Sequence, residues 1–325
     1  MLNWLFPRAP VNAVEKAWVE TQMQRLGERF GIARLLDTQV MLPTPDFFAS
    51  IPTGTPSSVQ KLADHLCDHL GVDPKRLEVN IGCRNRGAHA VEESGRTLIQ
   101  VSEENLNDRD QLVADLAREL VATLVPEEGG PFQTPYARDW GRDLAPVFLG
   151  MGVFVANAVV QQTMTSGGGC SCSTPPQNRL PARMLGYAMA LFSHVRGETH
   201  PDWLSFLQLD ALSACRKGQQ YLRRTSDSVF TLESANRPRE DLATTELLTQ
   251  LKSRSPSARI AALWDLHDPR HAPAAAEAIT AALSDRHAAV REEAIRTMSC
   301  YGPAAENALP LLLEFLDDHR FSIRC

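Results

Sequence analysis

Residues 255–266, SPSARIAALWDL, and residues 285–298, DRHAAVREEAIRTM, read as two copies of one unit: a short polar turn, an arginine behind a small or apolar residue, then an apolar-periodic helix. Leu251, Leu283 and Leu316 each close a helix, and Arg259, Arg291 and Arg324 each open the next. Both series step by 32 and then 33 residues. A period in this range marks helix pairs stacked side by side, each burying its apolar face against its neighbours. A third copy starts in DHRFSIRC, residues 318–325.

The pattern resembles HEAT repeats over roughly residues 243–325. The Val-Arg-x-x-Ala core of that motif is best kept at Val290, Arg291 and Ala294; it weakens to Ala258, Arg259 and Ala262, and the third copy stops at Arg324-Cys325. Residues 242–325 are therefore expected to hold two repeats and a partial third. So few repeats bury little surface among themselves, so they are expected to dock on preceding helices or to belong to a truncated array. The resemblance implies another protein as partner. Arg254, Arg270, Arg286 and Arg320 are the candidates for a partner-binding edge, and because acidic residues slightly outnumber basic ones in this part, nucleic acid is not the expected occupant.

The chain of 325 residues is 43% hydrophobic and 22% charged, the composition of a soluble globular protein of one large or two ordinary domains. A net charge of −6 argues against a general nucleic-acid binder, because phosphate contacts need surplus Lys and Arg. Seven cysteines without framework spacing suit a reducing compartment, and the opening MLNWLFPR lacks a basic segment ahead of its apolar run, so a cytoplasmic location is expected. The charge-free stretch 144–160, LAPVFLGMGVFVANAVV, is shorter than the roughly 20 residues of a membrane span and contains Pro146 and Asn157; it is expected as a buried core helix.

Upstream, 11–30 reads as an amphipathic helix on Val14, Trp18, Met23 and Leu26, ended by Gly31. ARLLDTQVMLP reads as a strand and 57–70 as a second helix. LEVNIG (77–82) and TLIQVSE (97–103) read as strands that pair across the loop CRNRGAHAVEESGR. A long apolar helix is expected over 139–163, a loop over 165–181, helices over 182–196 and 203–224, and a linker over 225–241. The fold class is an α+β first part, a small sheet with packed helices, followed by all-α repeats, and mostly helical overall.

Between strands and apolar helix lies Q111-L-V-A-D-L-A-R-E-L-V-A-T-L-V125, whose Leu112, Leu116, Leu120 and Leu124 form a buried helical stripe. It carries Arg118-Glu119-Leu120-Val121-Ala122. The order of parts, strands then this helix then a second helix from Arg138, resembles the zincin-like domains of gluzincin type over about residues 60–165. In those, His-Glu-x-x-His sets two imidazoles on one helical face to hold zinc while the glutamate activates water, and a later helix with Glu-x-x-x-Asp supplies an acidic ligand; here Asp139 and Asp143 stand at that spacing. Arg118 and Ala122 occupy the two imidazole positions, and neither side chain has a lone pair for a metal. The resemblance thus implies, for residues 1–224, a pseudoenzyme that keeps the fold without catalysis or cofactor. Glu119 and Asp139 would face each other without a metal, so Arg118 is expected to supply the missing positive charge.

Two further sets of residues offer weaker metal candidates. His65 and His69 stand at i, i+4, with no third ligand in sight; Cys170 and Cys172 follow three glycines without a second cysteine pair. No phosphate-binding glycine loop or nucleophile elbow is present. The expected function is a non-catalytic interaction or scaffold protein. The alternatives are a zinc peptidase with unconventional ligands, such as His65 and His69 brought near Asp139, and a purely structural helical scaffold.

Overall fold

The computed structural model describes residues 7–49, 55–83, 88–93, 96–103, 106, 108–125, 135–165 and 179–314. They form two compact units, one of residues 1–10 with 26–224 and one of 11–25 with 225–325. The first helix, α1 (Ala13–Phe30), contributes to both. The fold is the expected one in class: mostly helical, with one small sheet in the first unit and helical repeats in the second.

In the first unit, α2 (Ile32–Asp37) and α3 (Pro45–Ala49) precede α4 (Pro56–Leu70), whose N-cap Thr55 exchanges bonds with Ser58 in a capping box. The expected strand at ARLLDTQVMLP is not formed. Residues 32–37 are the helix α2, burying Ile32 and Leu35, and the remainder runs extended outside the sheet, held by the Met41 amide donating to the Gly150 carbonyl. A short apolar run fits either element, and here packing decided.

Strands β1 (Leu77–Cys83), β2 (Ala88–Glu93) and β3 (Arg96–Ser102) make a sheet of order β1-β3-β2. The two expected strands do pair, in parallel, with Leu77 opposite Thr97 and Val79 opposite Ile99. The segment expected as a loop holds β2, which runs antiparallel to β3 with Glu93 opposite Arg96. A parallel pair needs a crossover, and β2 lies within it. The edge of β1 is partly covered by α4, where the Gln60 side-chain carbonyl accepts from the Val79 amide at 2.9 Å.

Helix α5 (Arg109–Leu124), capped by Asp108, follows the sheet and buries Leu112, Leu116 and Leu120 as the stripe requires. The single apolar helix expected over 139–163 is two: α6 (Pro135–Phe148) and α7 (Gly152–Thr165). Gly150 at φ +83° ends α6, with the Met151 amide donating to the Pro146 carbonyl and the Gly150 amide to the Val147 carbonyl, the paired bonds of a left-handed helix terminus. A Cβ on Gly150 would lie 2.5 Å from the Gln39 carbonyl oxygen, so glycine is required twice over. Asn157, buried in α7, donates to the Phe206 carbonyl and accepts from the Gln208 amide, which satisfies the polar group inside the apolar stretch. Among the described residues no helix is long and apolar enough to cross a membrane.

Helices α8 (Ala182–Val195) and α9 (Leu209–Arg224) complete the unit and pack together most extensively. Their closeness depends on Gly186, where a Cβ would lie 2.5 Å from the Ala211 carbonyl oxygen.

The second unit stacks α10 (Thr244–Leu251), α11 (Pro256–Asp265), α12 (Ala272–Ala282), α13 (Ala288–Ser299) and α14 (Leu309–Glu314). Leu247, Ile260, Leu263, Ile279, Leu283, Val290, Ala294 and Met298 form its core. Residues 225–241, expected as a linker, bury Phe230, Ala235 and Arg239. They are tied to a polar stripe on α1: Glu20 accepts from the Val229 amide, and Gln24 donates to the Ser234 carbonyl and accepts from Arg239 at 2.9 Å. Ala17, Ala13 and Val14 of α1 join the repeat core, so the start of the chain supplies cover that two repeats cannot make for themselves.

Candidate functional site

Helices α5 and α6 bring together Arg118 and Asp143, two of the residues singled out from the sequence. Asp143, on α6, is fully buried at 0% exposure. Its Oδ1 lies 2.8 Å from Arg118 Nε on α5 and 3.1 Å from Arg179 Nε, just ahead of α8. Its Oδ2 accepts from the Leu180 amide at 2.7 Å. Arg179 also faces Asp115 of α5 at 3.6 Å, and Asp115 accepts from Gln111 at 2.8 Å. Beside them, Arg142 Nη1 stands 3.8 Å from Glu119 Oε1. Three carboxylates thus meet three guanidiniums, a neutral set in which burial of charge is compensated by proximity.

The electrostatics follow from that burial. Desolvation pushes Asp115 above the usual carboxylate range, against the opposing pull of Arg179, Arg118 and the Gln111 bond. The same desolvation lowers Arg179, which Asp143 and Asp115 counter.

The expected cation is present at Arg118, but its partner is Asp143 and not the Glu119–Asp139 pair. Asp139 sits one turn earlier on α6, half-buried, and Glu119 takes Arg142. Ala122 is half-buried at the second imidazole position. Sequence reasoning passed over Arg179, which lies at the end of a loop-like stretch; the signal available was an arginine directly ahead of the apolar helix LPARMLGYAMALF. A guanidinium has no lone pair for a metal or a proton, and the Asp143 oxygens already accept from Arg179 and the Leu180 amide, with the Arg118 guanidinium paired beside them. The cluster is suited to holding α5, α6 and the start of α8 together.

The other metal candidates do not converge. His65 is exposed, its ring 5.8 Å from that of Phe47, whereas the His69 Nε2 is bonded at 2.8 Å to the Leu149 carbonyl, and burial lowers its pKa below the ordinary value. Among the described residues no group of three or more His, Cys, Asp or Glu could hold a metal. Burial pushes the Cys67 thiol up to about 11 and the Cys215 thiol up to about 12, so both stay protonated at neutral pH. Cys170 and Cys172 lie outside the described residues.

In the second unit the repeat register is visible bond by bond. Arg259 Nη1 donates to the Ser253 carbonyl at 2.8 Å and Arg291 Nη1 to the Asp285 carbonyl at 2.6 Å, each six residues back across the turn. Arg259 also pairs with Asp285 of the following repeat at 2.8 Å. Further bonds cross between repeats, among them Thr297 to the Leu263 carbonyl, Tyr301 to the Leu266 carbonyl and the Trp264 indole to Glu293. Arg254 and Arg286 are exposed at equivalent places in the turns after α10 and α12, with Arg286 Nη2 donating to the Arg254 carbonyl. Arg270 is exposed in the turn after α11, where it pairs with Asp268 at 3.3 Å. Arg320 lies outside the described residues.

No curated protein and no solved structure matches the chain. Residues 244–324 match the family model for HEAT repeats, so a HEAT-repeat module makes up the C-terminal part of this protein.

Proposed function

We propose that the protein is a non-catalytic interaction protein: the HEAT-repeat module holds another protein, and the first unit is a pseudo-metallopeptidase domain on which that module is mounted. The repeats carry the interaction half of the reading, because stacked helix pairs present a surface whose exposed residues are free of core duties. Arg254 and Arg286, aligned by the repeat and exposed, are the partner-contacting residues of choice. The Arg118–Asp143 contact supports the other half. The residue at the first imidazole position of the zincin resemblance pairs with Asp143, the second acidic residue of the Glu-x-x-x-Asp spacing on the later helix, so a buried guanidinium is neutralised at the position of a lost ligand.

Affinity capture with the full chain and with Arg254→Glu/Arg286→Glu tests the first half. The expected result is a protein retained by the parent and lost by the variant; equal retention by both would place the contact elsewhere. Incubation with a broad peptide mixture tests the second half, with no cleavage expected and chelator-sensitive cleavage as the contrary result.

A further inference from the structure

The first unit carries a groove of about 820 Å³ that the proposed function does not use. It lies between α9 and the turn at 200–205, with buried Leu204 and Gln219 among its lining and exposed Arg216, Arg223 and Arg224 along one wall. That volume falls in the ~300–1,000 Å³ range of ligand sites. On a helix, seven residues bring Arg223 back to within about 20° of Arg216 and ~10 Å further along the axis. Neither Arg216 nor Arg223 forms an ion pair among the described residues. Gln219 is fixed, its amide donating to Ser193 Oγ at 2.9 Å, so one wall is preorganised.

We propose that this groove binds an extended acidic peptide segment, with carboxylates taken by Arg216 and Arg223. In a chain extended as polyproline II, which turns once every three residues, carboxylates three residues apart share one face about 9 Å apart, close to the rise from Arg216 to Arg223 along the helix axis. Arginine receives a carboxylate through two parallel bonds, and the Gln220 amide offers both donor and acceptor to a peptide backbone. Asp202 on the groove interrupts the continuous positive potential that a phosphate polymer needs, whereas carboxylates spaced along a peptide need only the two arginines. The inference shares the interaction reading but concerns a surface separate from the repeats.

Fluorescence anisotropy on the full chain tests it, using a short labelled peptide with glutamates at every third position. Saturable, salt-sensitive binding is expected, weakened about tenfold or more by Arg216→Glu/Arg223→Glu, since charge reversal replaces attraction with repulsion. The matching glutamine peptide should not bind, and Arg254→Glu/Arg286→Glu should leave binding unchanged. Should the charge-reversed chain fail to fold by circular dichroism, Arg216→Gln/Arg223→Gln decides, with a smaller loss of the same sign. Absence of binding, equal binding by the groove variants, loss in the repeat variant, or tighter binding of a single-stranded oligonucleotide would each overturn the proposal. Failure here leaves the capture experiment on the repeats to stand or fall by itself.

Discussion

Both units bury arginines, yet they neutralise them by different means. In the repeats, Arg259 and Arg291 each reach back six residues to a turn carbonyl, an arrangement that recurs with the period of the sequence, and Arg259 adds a pair with Asp285 one repeat on. In the first unit, Arg118 and Arg179 converge on Asp143 from α5 and from the start of α8, across separations that no local pattern encodes. Local satisfaction makes a modular element that can be copied. Convergent satisfaction makes a lock in which each member's charge depends on residues distant in the chain.

That contrast can be broken by substitution. Arg179→Met should be the most damaging change, since it removes the one guanidinium shared by the buried Asp143 and Asp115; removing one partner of such a set costs about 3–5 kcal/mol, to be read from urea unfolding. Arg118→Met should lose less, because Arg179 and the Leu180 amide still hold Asp143, and a variant as stable as the parent would contradict its assigned role. Arg259→Met, which gives up carbonyl bonds and the Asp285 pair, should cost about 1.5–3 kcal/mol, the usual range for a hydrogen bond to a charged group. Close packing without charge gives a comparison value: Gly186→Ala must push α8 from α9, at about 1–3 kcal/mol for an overpacked core.

The smallest effect is one of pH. His69 and His267 are held below their ordinary value of 6.5, chiefly by burial. The unfolded chain therefore takes up their protons first, and stability should fall as pH drops below about 6.5 until the folded values are passed. The His69→Gln variant should show a shallower fall over that window in urea melts at stepped pH; an identical slope would remove His69 from the account.

Periodicity made the repeats legible, and the leucine stripe did the same for α5, because in both cases burial follows a fixed step along the chain. What escaped was set by contacts at a distance. The polar face of α1 reads as solvent-facing, yet Lys16, Glu20 and Gln24 are buried against 225–241 and Ser257. The break at Gly150 followed from a close backbone approach by Gln39, which spacing cannot reveal. At the candidate site, Arg118 and Asp143 could be named from the motif positions, but Arg179 could not, because its role exists only once α6 and α8 are packed.

The most direct test of the central claim is elemental analysis of the purified, untagged protein after dialysis against trace zinc. The proposed reading, in which ion pairs fill the place a zincin would give to a metal, predicts folded protein with no stoichiometric zinc. One equivalent of zinc, retained by the parent, would contradict that reading and favour the alternative of a metal-dependent hydrolase with other ligands.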